Sequence, residues 1–276
     1  MTITSAEIAA LLVTGGGQAN LTNTVINTSG YNAFAVDAIG TTVKLSGADI
    51  TTSGERGYGL LAEENGLIEA NANISTSGFK AHGVQAGGGT ETLLGTVKLT
   101  GGTVKTTGSD AYGLHAVYGG IIDGTTTITT EGTNAYGAFA ESGSAITLDG
   151  ASIRTSGNKG YGLLVNNDDQ TTGGTITANN VDVLVSGADT EVARIENNAE
   201  MSVSNSRLEA KSAAGVALVN EAKFDITGST IVSAQQSFVS HLDRSGQTQT
   251  INLGQGSVAT QNNVYTSACY PQHRWR

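Results

Sequence analysis

One short phrase recurs along this chain at a nearly constant interval. "ERGYGLLA" at 55–62 returns as "FKAHGVQA" at 79–86, "SDAYGLHA" at 109–116, "TNAYGAFA" at 133–140 and "NKGYGLLV" at 158–165, and each copy follows a tripeptide T-x-G. Successive tripeptide glycines stand 24 to 30 residues apart. These glycines are Gly30, Gly54, Gly78, Gly108, Gly132, Gly157 and Gly187. A repeat of this length indicates a solenoid, in which each copy forms one coil and buries its apolar side chains against its neighbours.

Apolar residues stand at fixed distances from the tripeptide glycine and locate the core of the predicted coil. Ile or Val stands four residues before each glycine, and two more apolar columns lie six and eight residues after it. A fourth column, eleven residues before the glycine, holds Ala19, Val43, Leu67, Val97, Ile121, Ile146 and Ile176. Since side chains alternate along a strand, the residue between the two later columns points outward and is expected to be free. These outward residues are Leu61, Gln85, His115, Phe139 and Leu164.

Each repeat contains three short strand-like pieces separated by glycine-rich turns. In one copy they are "VKL" at 43–45, "ADITT" at 48–52 and "YGLLA" at 58–62. None is long enough to show a helical period, and Thr, Val and Ile favour strands. Three strands in about 24 residues make one turn of a parallel β-helix, with coils stacked about 4.8 Å apart. We therefore predict an all-β solenoid, a parallel β-helix of about eight or nine coils with roughly 24 residues in each.

An aromatic column stands four residues after the tripeptide glycine. Its members are Phe34, Tyr58, His82, Tyr112, Tyr136 and Tyr161. Because equivalent residues of neighbouring coils lie one strand spacing apart, this column predicts a stacked ladder of rings. Glycine follows the aromatic residue in most copies, which indicates a bare or tightly bent stretch of backbone.

The two longest intervals locate insertions, "GGGTETLLGT" at 87–96 and "NNDDQTTGGT" at 166–175. We expect loops there, and insertions in a repeat often lie on a binding face. After Gly187 the phrase decays into degenerate coils. We assign residues 1–266 to one β-helix domain. Residues 267–276 hold the only Cys, Pro and Trp, and this atypical tail is interpreted either as a natural cap or as a non-native segment.

Composition restricts the partners of the chain. The formal net charge of −10 argues against nucleic acid, which requires a basic surface. The single cysteine, Cys269, provides no disulfide framework. The first residues lack the basic segment and cleavage site of a signal peptide, and the apolar run from Ile8 to Val13 is too short to span a bilayer. No cap is recognisable at the start, so the chain is expected to begin inside a coil.

No histidine or short motif in the sequence has the spacing of a catalytic site. His82 belongs to the aromatic column, and His115 is expected to be an ordinary surface residue of the outward column. His241 and His273 have no partner that the sequence can place. The motifs H-E-x-x-H and G-x-S-x-G are absent, and "GGGTETLLG" lacks the G-K-[ST] ending of a phosphate loop. We therefore predict no enzyme activity and no cofactor.

Acidic residues give two weak signals for a site. Asp168 and Asp169 could chelate calcium together with neighbouring carbonyl groups, although a solvated turn is the simpler interpretation. Glu69 and Asp123 share the position nine residues before the glycine, about 10 Å apart along the rod, in an otherwise Leu-rich column. Glycosidases need two carboxylates at a set separation. We interpret Glu69 and Asp123 as local departures from that column, and we predict no catalytic or metal-binding residue.

The alternation of "[TS]-[TS]-G-x-x-[AG]-[YH]-G-[LV]-x-A" with "V-x-L-x-G-[AT]-x-[IV]-x-T-[ST]-G" resembles the pertactin-like passenger domains of Gram-negative autotransporters, over about residues 10–240. The resemblance is specific to architecture and loose as to activity. It implies a right-handed β-helix displayed on, or shed from, the bacterial outer surface. Members typically act as adhesins, in autoaggregation or in contact with host surfaces. A complete member also has a signal peptide and an outer-membrane β-barrel, so this chain is expected to be a passenger fragment of a longer parent.

We therefore expect a non-enzymatic β-helix module, surface-displayed or secreted, that acts in adhesion or autoaggregation or as a structural stalk. Its expected partners are a host surface, a glycan or matrix, or a second copy of the chain, contacted along the flank of the rod. The alternative is a carbohydrate-active β-helix, either a polysaccharide lyase or a tailspike-like glycan binder, because fold alone does not determine function. Thr runs such as "TTTITTEGT" at 125–133 also suggest ice binding, but the outward Thr array is interrupted.

Overall fold

A computed structural model describes residues 1–87, 94–167, 172–188, 190–213, 215–234, 239–242, 249–261 and 264–267, with the backbone alone described for 239–242, 259–261 and 264–267. Every regular element in these residues is a β-strand. The strands form a parallel β-solenoid of about nine turns, with about 25 residues in each turn. This architecture confirms the predicted β-helix and its period.

Each turn of the solenoid contributes strands to three faces. The first face contains β3 (Gln18–Thr22), β12 (Ile121–Gly124), β15 (Ala145–Asp149), β18 (Thr175–Asn179), β21 (Glu200–Ser204), β24 (Lys223–Thr227) and β27 (Thr250–Leu253). The second face contains β1 (Thr2–Ile3), β4 (Val25–Thr28), β13 (Thr127–Thr130), β16 (Ser152–Thr155), β19 (Asp182–Val185), β22 (Arg207–Ala210), β25 (Thr230–Ser233) and β28 (Val258–Gln261). Three longer strands, β6 (Thr42–Thr52), β8 (Leu67–Thr76) and β10 (Thr96–Thr106), continue from the first face into the second.

The third face is a separate ten-stranded sheet. It contains β2 (Leu11–Val13), β5 (Val36–Ile39), β7 (Leu60–Glu63), β9 (Val84–Ala86), β11 (Leu114–Ala116), β14 (Ala138–Ala140), β17 (Leu163–Val165), β20 (Ala193–Glu196), β23 (Val216–Val219) and β26 (Val239–Leu242). We name the corners in chain order: the first corner joins the first and second faces, the second corner joins the second and third faces, and the third corner leads into the next coil.

Strands one coil apart pair in parallel and keep the core columns in register. On the second face Ile50 pairs with both Ile26 and Ile74, and on the third face Leu114 pairs with Val84. These side chains are almost completely buried and belong to one continuous core. The columns four residues before and six and eight residues after the glycine are therefore confirmed. Full burial of an Ile or Leu side chain contributes about 1.5–3 kcal/mol, and every coil repeats that contribution.

The predicted column eleven residues before the glycine is wrong in two coils. Ile68 and Ile122 are the buried residues that pair with Val97, whereas Leu67 and Ile121 stand one position earlier and are only half-buried. The cause lies at the first corner, where β6 and β10 each hold one residue more than β8 and the register shifts. When the number of residues at the first corner changes by one, every core position before that corner shifts by one residue relative to a count made from the tripeptide glycine.

The third corner is a tight two-residue turn in most coils. Glu64 and Asn65 both have positive φ, at 51° and 66°, and the N–H of Gly66 donates to the Glu63 carbonyl at 2.8 Å. Two successive positive φ values define the type I′ turn, which favours Asn and Gly. The first corner uses single left-handed residues instead, such as Gly47 at φ 68°.

Both ends of the described chain continue the stacking. At the start, β1 pairs with β4 and β2 pairs with β5, so residues 2–13 lie in a coil. After Gly187, β20, β23 and β26 pair in parallel on the third face. The final strand, β29 (Val264–Ser267), pairs antiparallel with β28. The remainder of the atypical tail, 268–276, lies outside the described residues.

Candidate functional site

The recurring phrase forms the second corner, and its residue types are those the corner requires. The buried hydroxyl of Thr106 donates to the carbonyl of Ala111 at 2.9 Å. The same bond across five residues is made by Thr28, Thr52, Thr76 and Thr130. A Cβ on Gly108 would lie 1.9 Å from the Gly78 carbonyl oxygen, so these glycines stack too closely for a side chain. Asp110, two residues after the glycine, has φ 53° and reverses the chain.

The aromatic column forms the predicted ladder beside this corner. From Phe34 to Tyr161, neighbouring rings stack with centroids 4.5–5.3 Å apart and interplanar angles of 6–29°. The bare backbone after each ring is also explained, because a Cβ on Gly113 would lie 2.4 Å from Cγ2 of core Ile128. Burial raises the pKa of Tyr136 from its ordinary value of 10.0 to about 12, so its hydroxyl stays a hydrogen-bond donor well into the alkaline range.

Of the five outward residues predicted to be free on the third face, four are buried and Gln85 is half-buried, so the prediction of a free surface column is wrong. Leu61, Phe139 and Leu164 are only 4%, 7% and 5% exposed. The ladder packs sideways against this column: the Phe139 ring lies edge-to-face with Tyr112 and Tyr136, at centroid distances of 5.4 and 5.7 Å. The third face therefore carries a second apolar layer outside the coil.

His115 is not the ordinary surface residue that was expected. Its side chain is buried, with Nε2 2.8 Å from Oε1 of Glu141 and Nδ1 3.4 Å from Oε1 of Gln85. Its ring stacks on Phe139 at 5.2 Å and meets the ring of His82 edge-on at 4.9 Å. Glu141 was missed because it stands 26 residues away, in the third corner of the next coil. Adding one period of 24 to the position two residues after His115 would have indicated it.

His82 occupies the ladder position that the sequence predicts. Its ring stacks between Tyr58 and Tyr112, and its Nδ1 accepts the backbone N–H of Tyr112 at 3.0 Å. Burial lowers the pKa of His82 well below its usual range, and the nearby His115 and Lys80 add to the effect. The imidazole is therefore neutral at physiological pH and acts as one more aromatic ring in the stack.

Both insertions fall at the third corner of the rod. Residues 87–95 separate β9 from β10, and residues 166–174 separate β17 from β18, so each predicted insertion ends on the first residue of the next strand. Of these, 88–93 and 168–171 lie outside the described residues. The two coils between the insertions keep short turns at the third corner. In one of them the N–H of Gly120 donates to the carbonyl of Val117 at 3.0 Å. Three coil spacings, about 14 Å, separate β9 from β17.

The insertions therefore bracket a short stretch of the third face. This stretch contains the half-exposed rings of Tyr112 and Tyr136 and the buried layer of His115 and Phe139, with Glu141 at its edge. We name these five residues the aromatic flank. Rigid, partly exposed aromatic side chains that also carry hydroxyl groups are typical of contact surfaces. The aromatic flank is the candidate functional site.

Glu69 and Asp123 do share a column, but it is not the Leu-rich one. Both pair in register with Lys98 on the outward side of the first face, where charges alternate along the rod. Glu69 also forms a 2.7 Å ion pair with Lys44, whose hydrogen bond lowers the pKa of that carboxyl. The one-residue shift at the first corner accounts for the misplacement.

The part of the chain that the structure describes gives no support for a metal site. There, no group of three or more His, Cys, Asp or Glu side chains could hold a metal ion. Asp168, Asp169 and His273 lie outside the described residues, and only the backbone of His241 is described. Within the same described ranges, no helix is long and apolar enough to cross a membrane.

Sequence reasoning also missed the two charged members of the outward column. Asp37 is 7% exposed, its Oδ1 has no hydrogen-bond partner, and burial, followed by the charges of Glu63 and Glu64, raises its pKa to about 7. Arg194, toward the other end, forms a 2.6 Å ion pair with Glu196. Extending the period beyond the clearest copies would have placed both residues in this column.

These features define a parallel β-helix with an aromatic ladder on one face. No protein-family model matches the chain, and no curated protein matches it. Among solved structures it is similar to the cryo-EM structure of the Vag8-C1 inhibitor complex, with a TM-score of 0.62 and 20% identity over 94% of this chain and 66% of that chain. This likeness shows a shared fold.

A second solved structure is less similar. The Azotobacter vinelandii mannuronan C-5 epimerase AlgE6 A-module has a TM-score of 0.35 and 14% identity, over 89% of this chain and 91% of that chain. A likeness at this level supports no argument about the present chain.

Proposed function

We propose that this chain is a non-enzymatic β-helix module of a pertactin-like autotransporter passenger, surface-displayed or secreted, that acts in adhesion or autoaggregation. One observation carries the proposal: the stack of about nine turns has the fold of Vag8, an autotransporter passenger. The recurring motif resembles the same class of protein. We propose that the chain is a fragment of a longer parent.

The polar faces of the rod suit repeated weak contacts. On the second face, Nδ2 of Asn73 donates to Oδ1 of Asp49 at 3.0 Å, and the hydroxyl of Thr103 donates to Oδ1 of Asn73 at 3.2 Å. Side chains already held in such ladders lose little freedom when a ligand binds. Because equivalent groups recur in successive coils, contacts to a glycan, a matrix or a second rod add through avidity.

The aromatic flank provides the strongest single contact surface. Tyr112 and Tyr136 are rigidly stacked at 4.6 Å, half-exposed, and backed by the buried ring of Phe139. Ordered aromatic side chains dominate the binding energy of many interfaces. Vag8 is in complex with a protein, C1 inhibitor. We propose that the present chain contacts a host-surface protein or glycan through the aromatic flank.

Display of the full 276-residue chain tests this function. Bacteria carrying the chain on a separate membrane anchor are compared with anchor-only cells for settling rate and for attachment to glycan and matrix arrays. Tyr136→Ala should reduce attachment severalfold, while Thr147→Ala, at an exposed position of the first face, should leave it unchanged. If a folded chain produces no settling or attachment on any surface, adhesion is refuted and the module is a structural stalk.

A second candidate function, a carbohydrate-active β-helix, is favoured by the pairing of His115 with Glu141 beside Tyr112. A carboxylate that orients an imidazole is a common arrangement for proton transfer, at 2.8 Å here. Release of unsaturated uronates from anionic polysaccharides, followed by ultraviolet absorbance, tests this candidate. Activity that is lost in Glu141→Gln would support it, and a folded chain that releases no product would exclude the lyase form.

A further inference from the structure

Three carboxyl groups of two neighbouring early coils lie near the third corner, and none of them forms an ion pair. Asp37 stands between Val36 and Ala38, whose side chains face the core, so its own side chain points outward. Glu63 ends the neighbouring strand β7, and Glu64 begins the turn that follows. Both of these carboxylates act on Asp37 through their charge. Within the described residues, no Lys, Arg or His nitrogen lies within 4.0 Å of any of the three.

Elsewhere in the described residues some acids are paired with a base and others are exposed and unpaired. Acidic side chains with a basic partner are Glu69, Glu131, Glu141, Asp182, Glu196, Glu200, Glu209 and Asp225. Most of these pairs join neighbouring coils, as Lys44 and Glu69 do. Other described acids, such as Glu55, Asp149 and Glu221, form no ion pair either, but these are exposed, whereas Asp37 is only 7% exposed. Burial without a basic partner is therefore what distinguishes Asp37.

The buried Oδ1 of Asp37 is an independent sign that a partner is missing. The residue is more than nine-tenths buried, and this oxygen accepts no hydrogen bond. An unsatisfied buried polar atom is costly, and in native proteins such atoms are usually satisfied by a partner, a water or a ligand. Since Asp37 lies beside two acids, the group that would best satisfy it is a cation.

The geometry favours an elongated organic cation over a metal ion. The described residues include no set of three acidic or histidine side chains close enough to hold a metal ion. Leu12 pairs in register with Asp37 one coil away, and its side chain is 55% exposed. The aliphatic stems of lysine and arginine pack on such apolar surface while their charged ends reach polar groups.

We propose that Leu12, Asp37, Glu63 and Glu64, which we name the acidic notch, bind a lysine or arginine side chain of a protein partner. The stem packs on Leu12, and the ammonium or guanidinium group lies between the carboxylates. This proposal rests on the proposed function in one respect: a module that contacts other surfaces is expected to bind a protein partner. The acidic notch further requires that this partner present an exposed lysine or arginine.

Affinity for such a cation should rise with pH. Burial, then Glu63 and then Glu64, raise the pKa of Asp37 to about 7, and burial and Glu64 also raise the pKa of Glu63. The neighbours of Asp37 in the outward column, Leu12 and Leu61, are apolar and add no charge. The notch is therefore more negative at pH 8 than at pH 6, and the bound cation is held more tightly there.

A fluorescent tetra-arginine peptide tests the acidic notch on the full chain in solution at low salt. Asp37→Asn should weaken binding about fivefold or more at pH 8 and much less at pH 6. Glu221→Gln is the matched control, since Glu221 is an exposed residue of the same kind of turn at the third corner, with Ala217 in the outward column of its coil. This control removes the same charge and should change the affinity less than about twofold.

Two results would overturn the acidic notch. Equal losses in Asp37→Asn and Glu221→Gln would mean that the peptide follows only the net charge of −10. Stabilisation by millimolar Ca²⁺ that Asp37→Asn abolishes would mean that the site holds a metal. Circular dichroism checks folding, and Glu63→Gln replaces Asp37→Asn if that variant does not fold. Cell adhesion is measured separately, so either proposal can fail without the other.

Discussion

The coils before Gly187 and those after it build the same rod with different corners. Both regions keep the inward columns buried, as Ile153 in one and Leu208 in the other illustrate. The earlier coils add the glycine stack, the buried threonine hydroxyls and the aromatic ladder. At the threonine position, Val185 and then Ala210 carry no hydroxyl, and Ser233 restores one in the next coil, where it donates to the carbonyl of Ala213. Parallel pairing of apolar columns is therefore sufficient for the fold.

The later coils hold their corners with amides and ion pairs. At the third corner, Nδ2 of Asn197 donates to Oδ1 of Asn166, and Nδ2 of Asn220 donates to Oδ1 of Asn197, both at 2.8 Å. On the first face, Lys223 lies 3.2 Å from Glu200 in the neighbouring coil. The stacked core is therefore common to both regions, and the second corner of the earlier coils is a specialised surface added to it.

The largest effect is expected from the glycine stack. In Gly108→Ala the new Cβ would meet the Gly78 carbonyl oxygen at 1.9 Å, and backbone must move to accommodate it. We expect the free energy of unfolding, measured by urea denaturation, to fall by about 4 kcal/mol or more.

Gly124→Ala is the control for this prediction, because its nearest neighbour would be 3.5 Å away and no strain is expected. Its effect should stay within about 1 kcal/mol. Similar losses in the two variants would mean that the close approach of the glycines does not hold the second corner together.

The outward column provides the second test, since it carries unpaired Asp37 near one end and paired Arg194 near the other. The folded pKa of Asp37, about 7, exceeds the ordinary value of 3.8. The folded state therefore binds the proton more tightly, and stability falls as pH rises from about 4 to about 7, after which the cost is constant.

Asp37→Asn removes this titration. The variant should be up to about 4 kcal/mol more stable than the parent at pH 8, and the advantage should shrink toward zero near pH 4. Urea unfolding at pH 4, 6 and 8 measures the difference. An advantage that does not change with pH would show that Asp37 is ionised throughout this range.

The fold could be predicted because its signal is periodic and local. Ile50, Leu60 and Ala62 recur at constant offsets, so their columns followed from counting alone. The misplacement of Leu67 and Ile121 shows the limit of counting, since one extra residue at a corner changes the register without changing the pattern on either side.

The site could be predicted only in part, because the burial of an outward-pointing side chain depends on which side chains of other segments cover it. Alternation correctly indicated that Phe139 points outward, but its burial comes from Tyr112 and Tyr136, which reach across from the second corner. The contact between His115 and Glu141 joins a third-face strand of one coil to the third corner of the next coil. No single column contains both residues, so only the folded geometry reveals the pair.

The buried threonine hydroxyls are the third test of the comparison. In Thr106→Val the shape is kept, but the carbonyl of Ala111 loses its donor in a buried corner. We expect a loss of about 2 kcal/mol in the free energy of unfolding. Thr107→Val, at the exposed neighbouring position, should change it by less than about 0.5 kcal/mol. Equal effects would indicate that the hydroxyl bond is dispensable, as Val185 and Ala210 show for the later coils.

The smallest effect on stability is expected from the aromatic ladder, because the later coils stack without one. Tyr136→Leu removes two stacked contacts, with Tyr112 at 4.6 Å and Tyr161 at 5.3 Å, and an edge contact with Phe139 at 5.7 Å, but leaves an apolar side chain in place. We expect a loss of about 1 kcal/mol in urea unfolding, and Tyr136→Phe, which keeps the ring, should stay close to the parent.

The ladder can therefore be separated from the scaffold by measuring two properties of the same variants. If Tyr136→Leu lowers cell attachment severalfold while stability falls by about 1 kcal/mol, the ring acts mainly at the surface. A loss of stability as large as that of Gly108→Ala would reverse this conclusion. The rings would then be a structural requirement of the earlier coils, and their absence from the later coils would require compensation by the Asn166–Asn197–Asn220 amide ladder.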